Sequence, residues 1–143
     1  MDSYKQYNLF NNEINNNFQT DCLEIDYVKN FLNEKESIYF MESLTNKIKW
    51  NQDHIKMFGK SHPLPRLTAW YGDRNKSYTY SGISMTSRTW NTELLEIKKK
   101  VDQYAKFNFN SVLLNYYRSG NDSNSWHSDD EKELGDQPII GSV

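Results

Sequence analysis

Apolar residues along this chain change their spacing twice. Ile38, Met41, Thr45 and Ile48 recur at helical intervals, and Asn33 followed by Glu36 has the form of an N-cap with a carboxylate at the third helical position. The pattern predicts a helix over 34–47. A second helix is predicted from Asn91 or Thr92 to Tyr104, with Leu94, Ile97, Val101 and Tyr104 on one stripe. Lys98, Lys99 and Lys100 fall in its second half, where cations favour the helix dipole. Both stripes are expected to pack on a core. Elsewhere the period is two: "RLTAWYGD" and "SYTYSG" read as strands joined by a polar loop, and "NSVLLNYYRSG" reads as a strand ended by Ser119 and Gly120. The order helix, strands, helix, strand, loop, strand suggests an α+β domain, an antiparallel sheet flanked by helices.

The first 20 residues include "NNEINNN" and are too polar to bury much surface, so a flexible Asn-rich arm is expected at 1–20 and one ordered domain at 21–143. The 143 residues, with 36% hydrophobic and 25% charged side chains, suit one globular domain. No apolar run approaches the roughly 18 residues of a membrane-spanning helix, so no membrane partner is expected. The N-terminus lacks the basic-then-apolar order of a secretion signal, which leads us to expect a cytoplasmic protein, or a nuclear one in a eukaryote. Cys22 stands between Asp21 and Glu24, an acidic setting that suits a structural thiol better than a nucleophile.

The net charge of −2 conceals an uneven distribution. Residues 1–44 carry 3 basic and 8 acidic side chains, 45–76 carry 7 and 2, 77–119 carry 6 and 3, and 120–143 carry 1 and 6. A basic middle with acidic ends suits a protein that meets phosphates on one surface and holds a cation on another, although solvated faces vary in this way too.

Candidate chemistry concentrates in three places. His127 and Asp129 are separated by one residue, so on an extended segment both leave the same face and can share one ion. With a second histidine they would form the facial triad of non-haem Fe(II) oxygenases, though an H-x-D pair also occurs in ordinary surface loops. Asn115 and Tyr117 share a strand face, where an amide and a phenol could bind a small carboxylate, or could simply be wet-face residues. Tyr78 and Tyr80 also face one way and could stack on a flat ring or pack across strands. Finally, "KMFGKSHPLPR" places Met57 and Phe58 in a loop with Gly59, bracketed by Lys56, Lys60 and Arg66. Apolar wedges flanked by cations enter base stacks, whereas a loop phenylalanine can also fold back onto the core.

Taken in order, "KMFGK", "PLPRLTAWYGD", "YTYSG", "FNFNSVLLNYYRSGNDSNSWHSDDEKELG" and "PIIGSV" resemble the AlkB family of Fe(II)- and 2-oxoglutarate-dependent dioxygenases, particularly its duplex-DNA repair subgroup. The resemblance spans roughly residues 50 to 143. It implies a double-stranded β-helix, a jelly roll, with N-terminal flanking helices. It implies Fe(II) as cofactor, 2-oxoglutarate and O2 as co-substrates, and oxidative dealkylation of flipped bases in alkylated, duplex DNA. By resemblance His127 and Asp129 are metal ligands and catalytic residues, and Asn115 and Tyr117 bind 2-oxoglutarate. Tyr78, Tyr80 and Ser81 line the base pocket, with Tyr80 where a phenylalanine is familiar. Asp130 and Glu131 face the damaged base, Phe58 is an intercalating finger, and Arg66 is a nearby nucleic-acid contact.

The family takes its second metal histidine and its 2-oxoglutarate-binding arginines from later strands, and no residue after Asp129 supplies them before Val143. His54 and His62 lie upstream, where the family pattern has no ligand. The expectation is therefore a jelly roll without its last strands, whose isolated 143-residue chain binds iron weakly and turns over little. A complete protein is expected to act as a monomer. The alternative is a non-catalytic nucleic-acid-binding remnant that keeps the finger and the basic segment.

Overall fold

The structure, a computed structural model, describes residues 16–20, 23–73, 77–80, 83–127, 129, 134, 135 and 137–143. In chain order its elements are β1 (Asn16–Thr20), β2 (Leu23–Tyr27), α1 (Glu34–Lys47), β3 (His54–Met57), β4 (Lys60–Pro63), β5 (Leu67–Gly72), β6 (Ser77–Tyr80), β7 (Ile83–Thr86), α2 (Thr92–Ala105) and β8 (Ser111–Tyr116). Among the described residues the ladders β1–β2, β3–β4, β5–β8 and β6–β7 are antiparallel. No described helix is long and apolar enough to cross a membrane.

The chain divides into two compact units, 1–37 and 38–143. In the first, β1 pairs with β2 in a register running from Asn16↔Tyr27 to Thr20↔Leu23. The described end of the expected arm is thus a strand. Phe18 and Thr20 in β1 and Ile25 and Tyr27 in β2 are the β-forming residues of this ladder.

Helix α1 starts at the expected capping box. Asn33 Oδ1 accepts from the Glu36 N–H at 3.0 Å, and Glu36 Oε2 accepts from the Asn33 N–H at 3.0 Å, so two donors that a helix start leaves unpaired are satisfied reciprocally. The buried stripe differs from the expected one. Phe40 and Ile48 are buried and Leu44 packs beside Ile48, whereas Ile38 and Met41 are 54% and 66% exposed. Phe40, Leu44 and Ile48 follow an i, i+4, i+8 row, which also meets the helical period and presents the bulkier ring inward.

The core of the second unit lies on one face of the β5–β8 ladder. Ala69 and Tyr71 of β5 join Ile48 and Leu94, with Leu44, Trp50, Trp90, Val112 and Leu114 packed against them. The register pairs Ala69 with Leu114 and Tyr71 with Val112 on this face, and Thr68 with Asn115 on the opposite one. α1 and α2 contribute Leu44 and Leu94 to the core face, leaving the Thr68–Asn115 face for chemistry. Gly72 ends β5 where a Cβ would lie 2.9 Å from the Asn110 carbonyl oxygen, so only glycine fits this crossing.

α2 spans nearly the predicted range. Asn91 Oδ1 accepts from the Leu94 N–H at 2.8 Å at its start, and Lys106 closes it in the left-handed region at φ 51°. Inside its first turn Glu93, 4% exposed, accepts from Ser43 and pairs with Lys47. Its position in the chain corrects the expectation of N-terminal flanking helices, because α2 stands between β7 and β8. Two further expectations change. "KMFGK" is a hairpin rather than an open loop, and "PIIGSV" contains no strand. Instead Gly141 lies against Val101 and Phe109, where a Cβ would meet Val101 Cγ1 at 2.9 Å.

Candidate active site

Strand β8 leads directly into the predicted metal loop. Asn115 and Tyr117 are exposed while the intervening Tyr116 is half-buried, its ring 5.3 Å from that of Trp50. Alternation therefore places the amide and the phenol on one accessible face. After a turn at 119–122 the chain reaches His127 and Asp129, with the His127 Nε2 and the Asp129 Oδ1 3.4 Å apart and both side chains about two-fifths exposed, 40% and 42%. His127 Nδ1 lies 2.8 Å from the Ser125 carbonyl oxygen. A carbonyl only accepts, so Nδ1 carries a proton there, and Nε2, on the Asp129 side, is the ring nitrogen left to meet a metal ion. Two donors in adjacent positions about 2.1 Å from one ion stand roughly 3 Å apart, so the spacing of this pair is compatible with one shared ion. Among the described residues no third His, Cys, Asp or Glu joins them in a metal-holding group.

The loop between strand and metal pair is held by charge. Arg118 donates to both Asp122 oxygens, at 2.7 and 3.0 Å, and its N–H donates to Oδ2 at 2.9 Å. These bonds hold the Asp122 carboxyl below its ordinary range and raise the Arg118 guanidinium further. Arg118 also donates to Gln52 Oε1 at 3.2 Å, and Gln52 in turn donates to the Leu64 carbonyl at 2.7 Å. The four-residue spacing of Arg118 and Asp122 was a visible signal of this clamp.

Arg66 stands elsewhere than a nucleic-acid contact would. It is 3% exposed, with Nε donating to Asn115 Oδ1 at 2.9 Å and a terminal nitrogen donating to the Ser123 carbonyl at 3.3 Å. The buried guanidinium is turned toward β8 and the metal loop. Nearby Thr68, opposite Asn115 in the ladder, donates its hydroxyl to Asp53.

The basic segment forms the β3–β4 hairpin, closed by Phe58 and Gly59 at φ 50° and 75°. Two successive positive φ values define the tight turn that matches strand twist, and such turns favour Asn, Asp or Gly. Phenylalanine pays for that backbone with strain of about 1–2 kcal/mol, and its ring, 98% exposed, packs on nothing in return. Lys56, Lys60, His54 and His62 are exposed along the same hairpin. A large apolar ring held out between two cations is suited to insertion into a partner.

Of the residues expected to line a base pocket, Tyr78 and Tyr80 lie on β6, paired with Met85 and Ile83, while their side chains lie outside the described set. Ser81, Asp130, Glu131 and Cys22 fall outside the described residues altogether.

The sequence profile of the 2OG-Fe(II) oxygenase superfamily matches residues 24–143, which include the strand, the loop and the hairpin. The chain belongs to that superfamily. The superfamily is named for its dependence on 2-oxoglutarate and Fe(II). Within the superfamily the chain is 40% identical over 114 residues to the alpha-ketoglutarate-dependent dioxygenase alkB homolog 3 of Mus musculus, covering 79% of this chain and 39% of that protein. It is 36% identical over 110 residues to the DNA oxidative demethylase ALKBH2 of Mus musculus, covering 77% and 43%. The DNA oxidative demethylase ALKBH2 of Arabidopsis thaliana is 34% identical over 125 residues, covering 84% and 40%. The chain thus spans about two-fifths of the length of these relatives.

Neither the contact of the Ser125 carbonyl with His127 nor the burial of Arg66 is visible in the sequence. Backbone carbonyls leave no sequence signal. The arginine directly precedes β5, and that position alone does not reveal which way its side chain turns.

Proposed function

We propose that this chain carries part of an AlkB-type site that oxidatively removes alkyl groups from DNA bases turned out of a duplex. The observation that carries the reading is the His127–Asp129 pair, 3.4 Å apart with Nδ1 engaged by Ser125. Fe(II) bound by that pair, with 2-oxoglutarate and O2, supplies the oxidising power that hydroxylates an alkyl carbon. The remaining work falls to the protein's own side chains. The Ser125 carbonyl keeps the proton on Nδ1 of His127, so its Nε2 stays a donor. Asn115 and Tyr117 donate hydrogen bonds to a 2-oxoglutarate carboxylate from their shared face.

Phe58 enters the base stack at the hairpin tip while Lys56 and Lys60 hold phosphates. A base alkylated on its pairing edge pairs poorly, so turning it out costs less than turning out a normal one. Tyr78, Tyr80 and Ser81 border that base. Methylation of a ring nitrogen in adenine or cytosine leaves the base cationic, and Asp130 and Glu131 favour the cation over its neutral parent. Once hydroxylated, the alkyl carbon leaves as formaldehyde: the hydroxyl proton goes to solvent, the C–N bond breaks, and its electron pair returns to the ring nitrogen, which becomes neutral.

A second reading has one observation in its favour: the exposed Phe58 hairpin would serve a non-catalytic DNA-binding protein equally well. Formaldehyde release from N-methylated duplex DNA by the full-length protein separates the two. The enzymatic reading expects release that needs 2-oxoglutarate and Fe(II) and disappears in Asp129→Ala. Duplex binding without any release would refute it in favour of the binding protein.

A further inference from the structure

We propose that Arg66 is a positioning residue that decides which end of the Asn115 carboxamide meets the co-substrate. The inference rests on the reading of Asn115 and Tyr117 as 2-oxoglutarate-binding groups and deepens it. An asparagine side chain has an accepting and a donating end of almost the same shape, and an exposed one exchanges them freely. A guanidinium carries donors only. Because Arg66 Nε–H meets Asn115 at 2.9 Å, the atom facing it must be the carbonyl oxygen, and the NH2 group is turned the other way. Asn115 is exposed, and strand alternation puts the exposed Tyr117 on the same face. Two donors then converge on an anionic ligand. With the amide reversed, a carbonyl oxygen would oppose the carboxylate and a buried charged donor would be unpaired, so reversal is disfavoured twice.

The same side chain ties the amide to the metal loop. Its terminal nitrogen donates to the Ser123 carbonyl at 3.3 Å, and the Ser123 N–H donates to the Pro65 carbonyl at 2.8 Å. Residues 65–66 therefore fasten the chain four residues before His127. At 3% exposure the guanidinium is committed to these partners. The role expected from resemblance, a contact to nucleic acid, belongs instead to the exposed Lys56 and Lys60.

The test compares Arg66→Met, Arg66→Lys and Asn115→Asp in the full-length protein, measuring 2-oxoglutarate affinity and methylated-duplex affinity separately. Asn115→Asp keeps the shape and adds an ion pair to Arg66 but replaces the outward donor by an acceptor, so it serves even where Arg66→Met does not fold. Arg66→Met and Asn115→Asp are expected to weaken 2-oxoglutarate binding roughly 10- to 100-fold, the range for one charge-assisted hydrogen bond. Duplex affinity should be unchanged, and Arg66→Lys should recover part of the loss. In NMR spectra the Asn115 side-chain NH2 signals should shift in Arg66→Met and return toward their original positions in Arg66→Lys. Loss of duplex affinity with 2-oxoglutarate binding intact, or wild-type 2-oxoglutarate affinity in Asn115→Asp, would overturn the proposal. If the wild-type protein binds no 2-oxoglutarate, the co-substrate reading fails. The Asn115 signals then decide the positioning role alone, and their indifference to Arg66→Met would overturn it.

Discussion

Replacing Phe58 by asparagine should make the protein more stable and less able to bind duplex DNA. The ring is 98% exposed at the hairpin tip, so its removal leaves no cavity and forfeits no packing. The backbone at this position has φ 50°, which asparagine tolerates far better than phenylalanine. Left-handed backbone costs an ordinary L-residue about 1–2 kcal/mol, of which asparagine recovers roughly 1. For a chain of this size that corresponds to a Tm increase of roughly 3 °C. Against DNA the change removes the wedge. Base–aromatic stacking is worth about 1–3 kcal/mol, so duplex affinity should fall roughly 5- to 150-fold. Thermal unfolding followed by circular dichroism measures the first effect, and fluorescence anisotropy with a methylated duplex at fixed salt measures the second. A loss of stability of about 1 kcal/mol or more, the size of a lost apolar contact, would mean that the ring packs on the protein, and the argument from exposure would fail. Unchanged duplex affinity would remove Phe58 from the DNA interface.

Three further outcomes follow from the core and the caps. Leu94, 4% exposed and central to the cluster with Ile48, Ala69 and Tyr71, should cost about 3 kcal/mol when cut to alanine, read as a lower urea midpoint at unchanged slope. Asn91→Ala removes the side-chain acceptor at the start of α2 and should cost about 1 kcal/mol, while Asn91→Asp should cost almost nothing. The bond from Lys47, then the Glu93 backbone N–H and Ser43, hold the Glu93 carboxyl below its ordinary range. Its contribution to stability is complete above an unfolded carboxylate's pKa of about 4.3 and is lost as the pH falls through the lower folded value. Urea midpoints between pH 5 and pH 3, on the order of this titration, should therefore fall more steeply in the wild-type protein than in Glu93→Gln, and equal slopes would contradict the assignment.

Local signals in the sequence were read well where both the element and its end are encoded nearby. The Asn33–Glu36 pair marks the start of α1, because the capping acceptor sits three residues from the N–H it bonds, and the structure shows the same spacing at Asn91 and Leu94. The alternation in "SVLLNYY" places Asn115 and Tyr117 on one face for a similar reason. What escaped is decided between distant segments. Whether Ile38 and Met41 or Phe40 and Leu44 turn inward depends on what α1 packs against, and both sets satisfy the helical period. The hairpin at 54–63 was hidden because its turn carries Phe–Gly instead of the usual Asn–Gly. Arg66 was misplaced because basic residues in a basic segment look alike until burial separates them.

The central claim is that His127 and Asp129 hold a metal ion against a co-substrate seated on Asn115 and Tyr117. Equilibrium dialysis of labelled 2-oxoglutarate against the full-length protein under nitrogen, with and without Fe(II), tests it most directly. Retention is expected to require the metal and to be lost in His127→Ala, Asp129→Ala and Tyr117→Phe with the fold intact. Retention that is indifferent to Fe(II), or that survives in His127→Ala and Asp129→Ala, would contradict it.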